Sequence, residues 1–136
     1  ATYGWILETI SKQLLAEGMG PVHGKIATLT SYRAELYGVT SALLYVLQIC
    51  RFFNISHIVI QIVAYCDNSE CINKINTASS PMRGTSRYIS ADYDIESLLR
   101  HIIQSQPMTV SAEWVKSHQD NDNPIGNLPY KVLFGC

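Results

Sequence analysis

Between residues 3 and 20, apolar and polar positions alternate about Trp5, Leu7, Leu14 and Ala16, with Ser11-Lys12 midway and Gly18, Gly20 and Pro21 closing the stretch. A period of two interrupted by a polar pair predicts a β-hairpin running into a loop. A further short strand is expected over Lys25 to Leu29. From Ser31 the period becomes helical, with Leu36, Val39, Leu43, Val46 or Leu47, and Cys50 on one stripe. Thr30 or Ser31 suits the N-cap, which places Glu35 near the first turn. Ala34, Gly38 and Ala42 recur every four residues beside the stripe and allow close approach to a neighbouring layer.

The run Ile58-Val59-Ile60-Gln61-Ile62-Val63-Ala64-Tyr65 is β-branched and almost without polar relief, which predicts an interior strand covered on both faces. It stops at Cys66-Asp67-Asn68-Ser69, where Asp67 or Ser69 can cap a short helix through Ile72 and Ile75. Residues Thr77 to Ala91 have turn chemistry and no period and are expected to be a loop. A second long helix then carries Ile95, Leu98, Leu99, Ile102 and Ile103 at helical spacing. Asp92, Asp94 and Glu96 stand at its start and Arg100 and His101 near its end, each sign where the helix dipole favours it. Thr109 to Val115 alternates as a strand with one wetter face, Lys116 to Pro124 is a polar loop, and Leu128 to Cys136 is too short to classify. Strands and helices in this order predict an α/β sheet with covering helices.

Composition narrows the options. A chain of 136 residues is one domain, and 47% apolar against 15% charged residues is enough for a core. Ten Lys+Arg against eleven Asp+Glu leave a formal charge of −1, which argues against wholesale electrostatic wrapping of nucleic acid but permits a local basic patch. No apolar stretch approaches the roughly 20 residues of a membrane helix. The start, Ala1-Thr2-Tyr3-Gly4-Trp5, has neither initiator Met nor signal-peptide character, and the chain reads as cut from a longer protein. Cys50, Cys66, Cys71 and Cys136 are then expected as free thiols in an intracellular compartment, cytoplasm or nucleus. Cys66 and Cys71 have no second close Cys or His pair, so buried small side chains are preferred to a zinc site.

Asp67 ends the most apolar strand, and ligands of open α/β sheets bind at the carboxyl ends of strands. Helix capping is its simpler role. Glu35 lies one position from the core stripe, where a surface acid serving the helix dipole is the simpler role. Together, two carboxylates from separate elements converging at one sheet end are hard ligands suited to Mg²⁺. Such a pair, within about 8 Å, can share ions bound at about 2.0 to 2.1 Å per oxygen. His118, in the loop after the last long strand, has the ordinary imidazole pKa that suits proton transfer near neutrality. Asp120 and Asp122 begin a calcium-loop spacing that Pro124 breaks. Arg83 and Arg87, with Tyr88 beside them, suit phosphate contacts without base specificity.

Three blocks, Ser31-Tyr32-Arg33-Ala34-Glu35-Leu36, Tyr65-Cys66-Asp67-Asn68-Ser69 and Trp114-Val115-Lys116-Ser117-His118-Gln119-Asp120, resemble in order and spacing the blocks of type 1 ribonuclease H. They are most similar to the version downstream of reverse transcriptase in retrotransposon polyproteins. Tyr3-Gly4-Trp5-Ile6-Leu7 resembles that family's second strand, so the likeness runs from about residue 3 to about residue 124. It implies an endonuclease cutting the RNA strand of RNA–DNA hybrids with two Mg²⁺ ions, or Mn²⁺, about 3.5 to 4 Å apart. Glu35 and Asp67 would be metal ligands, His118 would move protons or release product, and Arg83, Arg87 and Lys116 would meet the nucleic acid. A reverse transcriptase domain in the same polyprotein would be the partner.

The family holds four acids, the first on a central strand before the hairpin and the last on a helix after the His loop. Neither has a counterpart in this sequence. The implied fold is therefore a ribonuclease H-like mixed sheet with helices on its faces, lacking the first, central strand and the last helix. It is expected to gape between the hairpin and the Ile58 strand, and the 136-residue fragment is expected to have little or no nuclease activity. A non-catalytic ribonuclease H-like connection module is the main alternative. An integrase, which draws its acids from two strands and a late helix, fits less well because here an acid opens the helix after the hairpin.

Overall fold

The protein folds into one mixed five-stranded sheet with three helices, and the structure, a computed structural model, describes residues 1–55, 60–78, 91–105, 108–116 and 131–135. The hairpin is β1 (Thr2–Thr9) and β2 (Leu14–Pro21), antiparallel, with Lys12 at φ 66° in the turn. Helix α1 spans Ser31–Phe52, and the Thr30 side chain caps it by accepting from the Arg33 amide. Then follow β3 (Ile60–Cys66), α2 (Ser69–Asn76), α3 (Tyr93–Gln104), β4 (Met108–Trp114) and β5 (Lys131–Gly135). The strands lie side by side in the order β2-β1-β5-β3-β4.

Several expectations change. Lys25 to Leu29 is not a strand: Ile26–Thr28 form a single 3₁₀ turn, and Ile26, 91% exposed, has no sheet face to pack on. The centre of the sheet does not gape. β5 lies between β1 and β3, parallel to the first and antiparallel to the second, and closes both ladders. Open edges inside a sheet would strand backbone donors and acceptors, and a short apolar segment from the far end of the chain supplies the partners.

β3 is interior in its ladder but not covered on both faces. Ile60, Ile62, Ala64 and Cys66 are buried, whereas Gln61 is exposed and Val63 and Tyr65 are half-buried. The buried side joins Trp5, Leu7 and Ala112 with Leu36, Val39, Leu43, Ile75, Ile95, Leu99 and Ile102 in one cluster. Among the described residues, the three helices thus pack on the same face of the sheet. Within α3 the expected stripe is narrower, since Leu98 faces solvent.

The hairpin joins this core through its aromatics. Trp5 pairs with Gly18 and Tyr3 with Gly20, and each ring lies across the glycine opposite. A Cβ on Gly18 would stand 2.5 Å from the Trp5 indole, whose Nε1 donates to Ser41 Oγ of α1 at 3.2 Å. Gly18→Val is expected to cost about 1 to 3 kcal/mol by overpacking. The check is a lower urea midpoint than that of Glu17→Val, the exposed neighbour.

Candidate functional site

The parallel strands β3 and β4 end together: the Val115 amide donates to the Cys66 carbonyl at 2.9 Å, one residue before Asp67. Beyond β3 the chain turns into α2 under the control of Asn68. Its Oδ1 accepts from the Glu70 amide at 2.9 Å and the Cys71 amide at 3.2 Å. Asn68, and neither Asp67 nor Ser69, is therefore the cap. The simpler role for Asp67 is taken, and its half-buried carboxylate is free for other use.

That use is contact with Glu35. Glu35 is 7% exposed on α1, its carboxyl faces Asp67 within hydrogen-bonding reach, and the Asn68 amide donates to it. It is not the surface acid of the simpler reading. Burial, then the hydrogen bond and negative charge of Asp67, push the Glu35 carboxyl up to about 9, partly offset by the Asn68 amide. At neutral pH the Glu35 carboxyl accordingly keeps its proton. The inner oxygen, Oε2, is buried without a hydrogen-bond partner.

An orphaned buried carboxylate oxygen beside a second carboxylate fits a cation, which would replace the Glu35 proton and satisfy that oxygen. Among the described residues no third carboxylate joins the pair. The only group of three or more potential ligands within 4.8 Å of one another there is Glu35, Cys66 and Cys71.

The position of Glu35 depends on its neighbour Arg33, 3% exposed. Arg33 donates through Nε to the His23 carbonyl at 2.8 Å, to Asp92 at 3.2 Å, and through both terminal nitrogens to Asp94 at 2.9 and 2.7 Å. Its guanidinium also lies over the Tyr37 ring. The Arg33 hydrogen bonds hold the Asp94 carboxyl below the usual carboxylate range. Next to it, the Tyr32 hydroxyl donates to Glu96 at 2.7 Å, and Lys74 of α2 pairs with Glu96 at 3.6 Å. These contacts fasten the start of α1 to the start of α3, and the last turn of α2 to the same Glu96. Asp92, Asp94 and Glu96 thus serve long-range pairs as well as the dipole of α3.

Sequence reasoning missed Arg33 in this role. A cation in the first turn of a helix, where the dipole disfavours it, was the available signal. Lys116 is exposed two residues beyond β4, at the same end of the sheet as Asp67. His118, Arg83 and Arg87 lie outside the described residues. Cys50, Cys66 and Cys71 are free thiols, and no described helix is long and apolar enough to cross a membrane.

Fold and site together define a mixed α/β protein with a buried glutamate facing a second carboxylate at the carboxyl end of its parallel strands. No family model, curated protein or solved structure matches the chain.

Proposed function

We propose that Glu35 and Asp67 belong to a ribonuclease H-like centre that hydrolyses the RNA strand of RNA–DNA hybrids, within a retroelement polyprotein that also carries a reverse transcriptase. The observation that carries this reading is the meeting of the two acids, one from the start of α1 and one just after β3, with one Glu35 oxygen buried and unsatisfied. Their places, at the start of α1 and just after β3, and the order of the blocks that carry them support the reading.

Glu35 and Asp67 would hold Mg²⁺, or Mn²⁺, through hard oxygens. The ions, when bound, supply charge neutralisation and Lewis acidity for in-line displacement at phosphorus. Lys116, exposed at the same end, would meet a phosphate, and Arg83 and Arg87 would do the same from their segment. His118 would carry protons. Two carboxylates are few for a metal pair, so these 136 residues by themselves would cut feebly.

The test is cleavage of a labelled RNA–DNA hybrid in Mg²⁺ by the chain with whatever polypeptide flanks it in its gene product. Glu35→Gln and Asp67→Asn should each slow cutting by about 100-fold or more, the scale of losing one electrostatic stabiliser at a reacting centre. Unchanged rates in both variants would refute the assignment. Mg²⁺-independent hybrid binding without cleavage would favour the non-catalytic connection module.

A further inference from the structure

We propose that Cys66, Cys71 and Glu35 form a site for a thiophilic divalent cation of the zinc type, separate in chemistry from a hard-ion site but sharing Glu35 with it. The inference stands on the side-chain cluster itself and does not depend on the nuclease reading.

One ligand atom from each residue lies within 4.8 Å of the others, and the two sulfurs are 4.0 Å apart. In a tetrahedral site with metal–sulfur bonds of about 2.3 Å, neighbouring sulfurs stand about 3.8 Å apart. Closing the difference needs a shift of a few tenths of an ångström. A disulfide, with sulfurs about 2.05 Å apart, would need the present separation almost halved.

The backbone gives the cluster its shape. Cys66 is the last residue of β3, Cys71 sits in the first turn of α2, and the Asn68 cap fixes the turn between them. Glu35 arrives from α1, held by the contacts of Arg33. Both cysteines are fully buried, and Glu35, more than nine-tenths buried, directs an unpartnered Oε2 into this interior. Two sulfurs and one carboxylate oxygen are the donor set of a zinc-type ion, whereas Mg²⁺ asks for an octahedron of oxygens. Three protein ligands leave a fourth position for water or for Asp67, which borders the cluster.

The experiment is titration of the whole reduced chain with Cd²⁺, a spectroscopic stand-in for Zn²⁺, following the ultraviolet thiolate-to-metal charge-transfer band. A saturable band is expected that Zn²⁺ displaces and excess Mg²⁺ does not. It should be lost in Cys66→Ser and in Cys71→Ser, weakened in Glu35→Gln, and unchanged in Cys50→Ser. Zn²⁺ should also raise the melting temperature of the wild type but not of Cys66→Ala, a variant whose small apolar side chain suits the buried position. Absence of a saturable band, its survival in the Cys66→Ser/Cys71→Ser double variant, or its loss in Cys50→Ser would overturn the proposal.

Discussion

Raising the pH from about 5 to about 9 is expected to destabilise the metal-free protein, and Glu35→Gln to remove most of that dependence. The folded state holds the Glu35 proton up to about 9, whereas an unfolded glutamate releases it near ~4.3. Between those values the native chain binds one more proton than the unfolded chain, so stability falls as pH rises. The contribution is complete below about 4.3, declines through the interval, and is gone above the folded-state value of about 9. Its total is on the order of a few kcal/mol, since one pKa unit corresponds to ~1.4 kcal/mol.

Glutamine is neutral throughout and keeps the shape of the side chain. The difference between wild-type and variant urea midpoints across the pH series therefore isolates this one group. Mg²⁺ should compete with the Glu35 proton, bind more tightly as pH rises, and restore wild-type stability at the alkaline end. Parallel pH profiles for the two proteins would show that the Glu35 carboxyl is not held protonated.

Arg33→Ala is expected to cost about 3 kcal/mol, the lower part of the range for breaking a buried ion pair by removing one partner. The lower part applies because the Asp94 side chain is 64% exposed and water screens its share. The remainder comes from the pair with Asp92, whose side chain is 14% exposed, and from the bond to the His23 carbonyl. Arg33→Lys should recover little, because an ammonium cannot reproduce the two-pronged grip on Asp94. Lys74→Ala, at a half-exposed pair with Glu96, should stay within about 0.5 kcal/mol of wild type. Urea unfolding of the three variants makes the comparison. An Arg33→Ala change as small as that of Lys74→Ala would mean that α1 is seated by its apolar stripe alone.

Much of the site was legible as separate residues. Glu35 and Asp67 stand out because one sits beside a core stripe and the other ends an apolar strand, places where a carboxylate needs a reason. Their convergence at one sheet end was expected, but the burial of Glu35 and the release of Asp67 from capping were not legible, since Asn68 takes over the cap of α2. The cysteines were read as isolated small side chains because their third neighbour, Glu35, lies far away in sequence and arrives only through packing. Arg33 was invisible for the same reason: its carboxylate partners lie about sixty positions further along the chain.

By itself the sequence determined the hairpin, the long helix from Ser31, the second helix around Leu99 and the strand ending at Trp114, because apolar period and local caps act over neighbouring residues. Only the tertiary structure decided that β5 fills the middle of the sheet, that the three described helices lie on one face, and that Glu35 is buried against Asp67 there. Those outcomes rest on satisfying ladder hydrogen bonds and burying apolar faces between segments remote in sequence. Periodicity tells a segment that it must be covered, but not by what.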